Sequence, residues 1–176
     1  MEANGQAAKA ETIKEDLAET IQSNHEDLTF ELIEHFEMRF KKKANVNALQ
    51  NIVPATIPIA VQTIQSRGKG PSVIFTTGMS GQPMKVVDED KELKFAELMM
   101  VIPGDYTLPD TIDESIWPWH SLQMLANVPH MGGAAFTNGP QVVSTNGKPE
   151  PLSHSTDFAA FLFLPCLLYT SDAADE

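Results

Sequence analysis

The sequence predicts an α+β domain in which helices flank a central mixed β-sheet. Three observations carry that reading. Early in the chain, apolar residues recur four apart, the period of a helix face. From Ile52 the period changes, and from Ile57 residues alternate through two short runs joined by a turn. After Thr77 the apolar runs are separated by too few helices for a regular βαβ series. With 176 residues and 42% hydrophobic content, the chain can build one domain with its own core but not two of ordinary size.

Residues 1–11 are small and polar and are expected to be disordered. Thr12 and Glu15 fit a capping box, with the hydroxyl taking an orphan N–H and the carboxylate returning the bond. Ile13, Leu17 and Ile21 then share one helical face, and Ser23 to Asp27 interrupts it. A second helix is expected over Leu28 to Lys43, because Leu28, Leu32, Phe36 and Phe40 fall four apart and Ile33 widens the stripe. Lys41, Lys42 and Lys43 complement the macrodipole at its end.

Ile57 to Gln65 alternates like a strand, with Pro58 best placed at its start or on an edge. Arg67 to Pro71 is a turn, and Ser72 to Thr77 completes a hairpin. Gly78 to Pro83 is a loop, and Val87 to Leu93 is acidic and exposed. Phe95 to Ile102 is apolar almost throughout; its shortness and the following Pro103-Gly104 favour a strand. Asp105 to Pro118 is a long connection carrying Tyr106 and Trp117. A short helix over Trp119 to Asn127 should stop at Pro129. Turns at Met131 to Gly133, Asn138 to Pro140 and Asn146-Gly147 frame a brief strand, Gln141 to Ser144. Phe158 to Leu164 is a last strand, and no internal repeat is present.

The final residues, Cys166 to Glu176, read CLLYTSDAADE. In codons this string matches a translated transposase-adapter sequence from library preparation, so it is read as a scar and set aside. On that reading residues 12–165 form the domain, C-terminally truncated at or near Pro165. The formal charge then falls from −12 to −9, because Asp172, Asp175 and Glu176 are removed.

Charge and composition exclude several classes. Twelve Lys and Arg against 24 Asp and Glu argue against a nucleic-acid backbone as partner. A single Cys excludes an internal disulfide framework and any multi-Cys zinc site. Phe158 to Leu168 is too short to span a bilayer, and the first residues lack a secretory signal. A cytoplasmic location and no membrane association are expected.

The motif search adds little chemistry. None of His25, His35, His120, His130 and His154 sits in a metal-binding pattern, and no GxSxG or phosphate loop occurs. No metal and no cofactor is expected. Ser80 lies between glycines in a turn that needs small residues. Asp88, Glu89, Asp90 and Glu92 form a solvated run. Glu97 differs, because it interrupts an apolar strand and a buried carboxylate needs a partner. It is read as an outward-facing carboxylate or one that caps backbone amides, with a catalytic acid as the alternative. Asp157 is a turn residue, and His130 a hydrogen-bonding residue at a helix end. Met99 and Met100 belong to the core, whereas Met79 and Met84 sit on a loop and are candidates for partner contact.

Four segments carry a family resemblance. Phe75 to Met84, FTTGMSGQPM, resembles the T-x-GMS-xx-PM segment of bacterial suppressor-of-fused domain proteins. Phe95 to Met100 with Ile102-Pro103 is similar to their YAELM…LP strand, with Phe95 where Tyr is common. Trp117-Pro118 and the helix ending at Pro129-His130 resemble their WP…PH segment. Ser155 to Phe158 and Phe161 to Pro165 resemble the polar turn and LLLP strand that follow. The order is kept over about residues 52–165, while Met131 to Pro149 matches poorly and the early helices match only in pattern.

The resemblance implies a suppressor-of-fused-like fold and a non-enzymatic protein-binding module. Animal members hold an extended segment of a transcription factor. Bacterial members include immunity proteins that neutralise a toxin domain, and the same role is the specific form expected here. Gly78, Met79, Ser80, Pro83, Met84, Glu97, Trp117, Pro118, Pro129 and His130 are the motif positions and candidate partner-binding residues. Two other readings stay open: a hydrolase using Glu97, His130 or Asp157, and a structural homo-oligomer subunit. The oligomeric state is not legible in the sequence.

Overall fold

The computed structural model describes residues 27–50, 57–66, 70–86, 94–104, 106, 114–132, 135–137, 139–144 and 150–165. The helix expected over Thr12 to Ile21, the acidic Val87 to Leu93, the Asn146-Gly147 turn and Cys166 to Glu176 lie outside the described residues.

Helix α1 runs through residues 27–40. Its four-residue stripe turns inward as the spacing predicts: Leu28, Leu32, Ile33 and Phe40 are half-buried and Phe36 is buried. The helix stops earlier than Lys43 because Lys41 takes a left-handed φ of 52°. The lysines beyond it are tied locally. Lys42 Nζ donates to Ser66 Oγ at 3.2 Å, and Lys43 pairs with Glu37. Glu37 also accepts the Ala44 N–H at 2.8 Å, and these contacts hold its carboxyl below the ordinary carboxylate range.

Strands β1 (Asn45–Gln50), β2 (Ala60–Ile64), β3 (Ser72–Thr77) and β4 (Met99–Ile102) form a four-stranded sheet in chain order. A second sheet pairs β5 (Gln141–Ser144) with β6 (Ala160–Phe163). Every described pairing is antiparallel. The class is α+β, with two antiparallel sheets where the sequence suggested one mixed sheet. Strand β1 was not expected; it pairs with β2 across an irregularity between Asn45 and Leu49. β4 and β6 are shorter than the apolar runs that contain them, because only these residues find pairing partners.

Alternation in β2 and β3 predicts one buried face, yet both strands are buried on both. A helix lies on each side. Phe36 and Phe40 of α1 cluster with Ile64, Val73, Phe75 and Met99, and Phe36 stacks on Phe75 with ring centroids 4.0 Å apart. The other face carries Ile59, Val61, Ile74, Met100 and Ile102 against α2 (Trp117–Asn127). Pro118 stands in the first turn of α2, where its missing N–H costs nothing.

Polar atoms buried under α2 are mostly paired. Trp119 Nε1 donates to Thr63 Oγ1 at 2.9 Å. Gln123 Nε2 donates to the Ile59 carbonyl at 2.6 Å, and Asn127 Nδ2 to the Gln123 carbonyl at 2.9 Å. The bonds to Thr63 and Ile59 fix α2 over the strand that it covers. Val143, Phe161 and Phe163 of the second sheet pack against the edge of the same core.

Candidate protein-binding groove

The glycine-flanked turn after β3 is built around Glu97. Gly78 takes φ 101°, a conformation that a side chain resists, and starts a short 3-10 turn over Met79–Gly81. Glu97 Oε1 accepts the Gly78 N–H at 3.0 Å, the Ser80 N–H at 2.9 Å and the Ser80 hydroxyl at 2.6 Å. Oε2 accepts the Thr76 hydroxyl at 2.7 Å. Glu97 is therefore a carboxylate that caps backbone amides, one of the two roles expected of it. Burial pushes its carboxyl up from the ordinary value, against the opposing pull of the Ser80, Thr76 and Gly78 bonds.

Other motif residues fall in different places. Met79 and Met84 are buried, 1% and 4% exposed, in the cluster that includes Trp119. This corrects the expectation of loop-borne partner contact: the turn points both thioethers into the core, and Pro83 is the exposed motif residue between them. Pro118 and Pro129 are buried at the two ends of α2. Trp117 Nε1 donates to the Tyr106 hydroxyl at 3.0 Å, and its ring lies 6.0 Å from that of Phe158.

The backbone N–H of His130 donates to the Asn127 carbonyl at 3.0 Å. Burial holds its imidazole below the ordinary value, opposed by a backbone hydrogen bond to Met79. Its buried Nε2 has no hydrogen-bond partner among the described residues, a position that suits the neutral ring.

These contacts do not assemble the hydrolase site. Glu97 and His130 meet the same turn through different residues, Ser80 and Met79. Asp157 is exposed in the turn before β6. The Ser80 hydroxyl donates to the Glu97 carboxylate. Among the described residues, no group of three or more His, Cys, Asp or Glu is placed to hold a metal ion.

The larger feature is an apolar groove of about 1590 Å³ between α1, β4, the start of α2 and the second sheet. Leu32 and Phe36 line it from α1, Met99 and Val101 from β4, and Phe161 and Leu162 from β6. Glu97, His35 and Tyr106 are its titratable lining residues. Phe95, Val101, Phe158, Leu162 and Leu164 line it and remain 49% to 65% exposed. Such a contiguous apolar surface marks an interaction site more often than chance exposure.

β4 is the outer strand of its sheet, and among the described residues no strand pairs with its far side. Thr76 N–H donates to the Leu98 carbonyl at 2.9 Å, which sets the alternation. With Phe75 opposite Met99 and Val73 opposite Val101, the N–H and C=O groups of Met99 and Val101 face away from β3. Residue-by-residue reading missed this groove, because its walls come from distant parts of the chain. The one local signal was the excess of large apolar residues in FAAFLFLP, more than a four-residue strand can bury.

A family model described as suppressor of fused protein matches residues 55–175. The match takes in β2 to β6, α2 and the Glu97-capped turn, and runs past Pro165. No curated protein and no solved structure matches the chain. Covering more than half of the sequence, the match shows that this chain belongs to the suppressor of fused protein family, a family of protein-interaction modules.

Proposed function

We propose that the chain is a non-enzymatic protein-binding module that holds an extended apolar segment of a partner along the β4 edge. The observation that carries this reading is the apolar groove bordered by the outward-facing backbone of Met99 and Val101. An added strand would satisfy those groups while its alternate side chains enter the groove. The partner class is a protein, neither nucleic acid nor membrane. A net charge of −12 disfavours nucleic acid, and no helix among the described residues is long and apolar enough to cross a membrane. The finer reading is a cytoplasmic immunity protein that neutralises a basic toxin domain, since a negative surface speeds encounter with such a partner.

The test uses peptides selected by display against the whole chain. Val101→Pro removes one outward N–H from an edge strand, where proline is tolerated. Selected peptides should lose about tenfold in affinity, the equivalent of roughly 1.4 kcal/mol, while the urea midpoint stays near that of the unsubstituted chain. Peptides that bind Val101→Pro undiminished would contradict the reading. So would a chain that sediments as a dimer through this groove, which is the homo-oligomer alternative.

A further inference from the structure

Beneath the Gly78–Gly81 turn, one hydroxyl proton has two acceptors within reach. Thr76 Oγ1 lies 2.7 Å from Glu97 Oε2 and 3.4 Å from the Leu98 carbonyl. The same oxygen accepts the Leu98 N–H at 2.8 Å. The shorter contact, to a carboxylate, takes the proton when Glu97 is charged.

We propose that Glu97 and Thr76 form a proton-operated hydrogen-bond switch that keeps this turn latched whether or not the acid is charged. In one state Glu97 accepts from Thr76. In the other, a proton from solvent sits on Oε2, the new O–H donates to Thr76 Oγ1, and the Thr76 hydroxyl turns to the Leu98 carbonyl. Only an O–H bond forms, and each donor keeps an acceptor. Thr76 Oγ1 then accepts from Leu98 and Glu97 and donates once, the full capacity of a hydroxyl. Glu97 Oε1 continues to face the Gly78 and Ser80 amides in both states.

The charged and titratable groups around this site leave the switch to burial and neutral donors. His35 of α1 and Tyr106 line the same groove as Glu97. Lys94 stands 5.2 Å above the Phe95 ring, and His130 reaches the turn at Met79. None of them contributes to the shift at Glu97, which burial drives upward and four hydrogen bonds oppose. The switch belongs to the fold and does not rest on the role proposed for the groove.

The experiment is a pH titration of the Glu97 side-chain carboxyl by NMR in the unsubstituted chain and in Thr76→Val. The midpoint in the unsubstituted chain should lie above 4.5. Thr76→Val should move it by less than about half a unit, because Thr76 serves both states. A rise of about one unit or more would show that Thr76 only donates to the carboxylate, and would overturn the proposal. A midpoint at or below 4.5 in the unsubstituted chain would overturn it as well.

Glu97→Gln gives an independent reading if Thr76→Val does not fold, since its amide can donate to Thr76 as the protonated acid would. With a raised folded-state pKa, the stabilisation from the neutral acid is complete below the unfolded value and lost as pH rises through the folded one. The urea midpoint of Glu97→Gln should therefore gain on that of the unsubstituted chain as pH rises. A difference that stays constant with pH would overturn the switch.

Discussion

Gly78 shows how much one residue decides in this molecule. Its φ of 101° turns the chain out of β3, so that the amides of Gly78 and Ser80 reach one carboxylate oxygen. Gly78→Ala should cost about 1–2 kcal/mol, the penalty of a left-handed conformation for a residue with a Cβ. Urea denaturation checks this, with a lower midpoint and an unchanged slope expected. Some of this scale was legible in the sequence. A carboxylate inside an apolar run must have partners, and Glu97 has four hydrogen bonds. The fate of Met79 and Met84 was not legible, because the direction in which a loop side chain points is set by the core beneath it.

Among the elements, local periodicity predicted most of what formed. The stripe of α1, the β2–β3 hairpin and the strand Gln141–Ser144 all follow from spacing. Spacing could not show that helices cover opposite faces of the hairpin, since that depends on where α1 and α2 return in space. Nor did it reveal β1: Asn45–Gln50 has one β-branched residue, and the irregularity in its pairing breaks the alternation.

The α2–sheet contact depends on Trp119, which is fully buried and bonded to Thr63. Trp119→Phe should destabilise the fold by about 1–3 kcal/mol, because the buried Thr63 hydroxyl loses its donor and a smaller ring leaves a gap. Adding Thr63→Val should recover part of the loss by removing the unpaired group. If the double variant is as unstable as the sum of the two single changes, the hydrogen bond is not what couples α2 to β2.

At the scale of the whole molecule, the groove gathers α1, β4, α2 and β6 around one apolar space. No window of sequence contains these elements together, so the groove was out of reach of pattern reasoning, although the family resemblance already implied a protein-binding role. The binding role proposed for the groove requires that a partner segment add to β4. Amide hydrogen exchange at Met99 and Val101, with and without a saturating display-selected peptide, tests it most directly. Both amides, exchanging quickly in the free chain, should become strongly protected in the complex, while Met100 changes little. Saturated binding that leaves Met99 and Val101 exchanging at their free rates would contradict it.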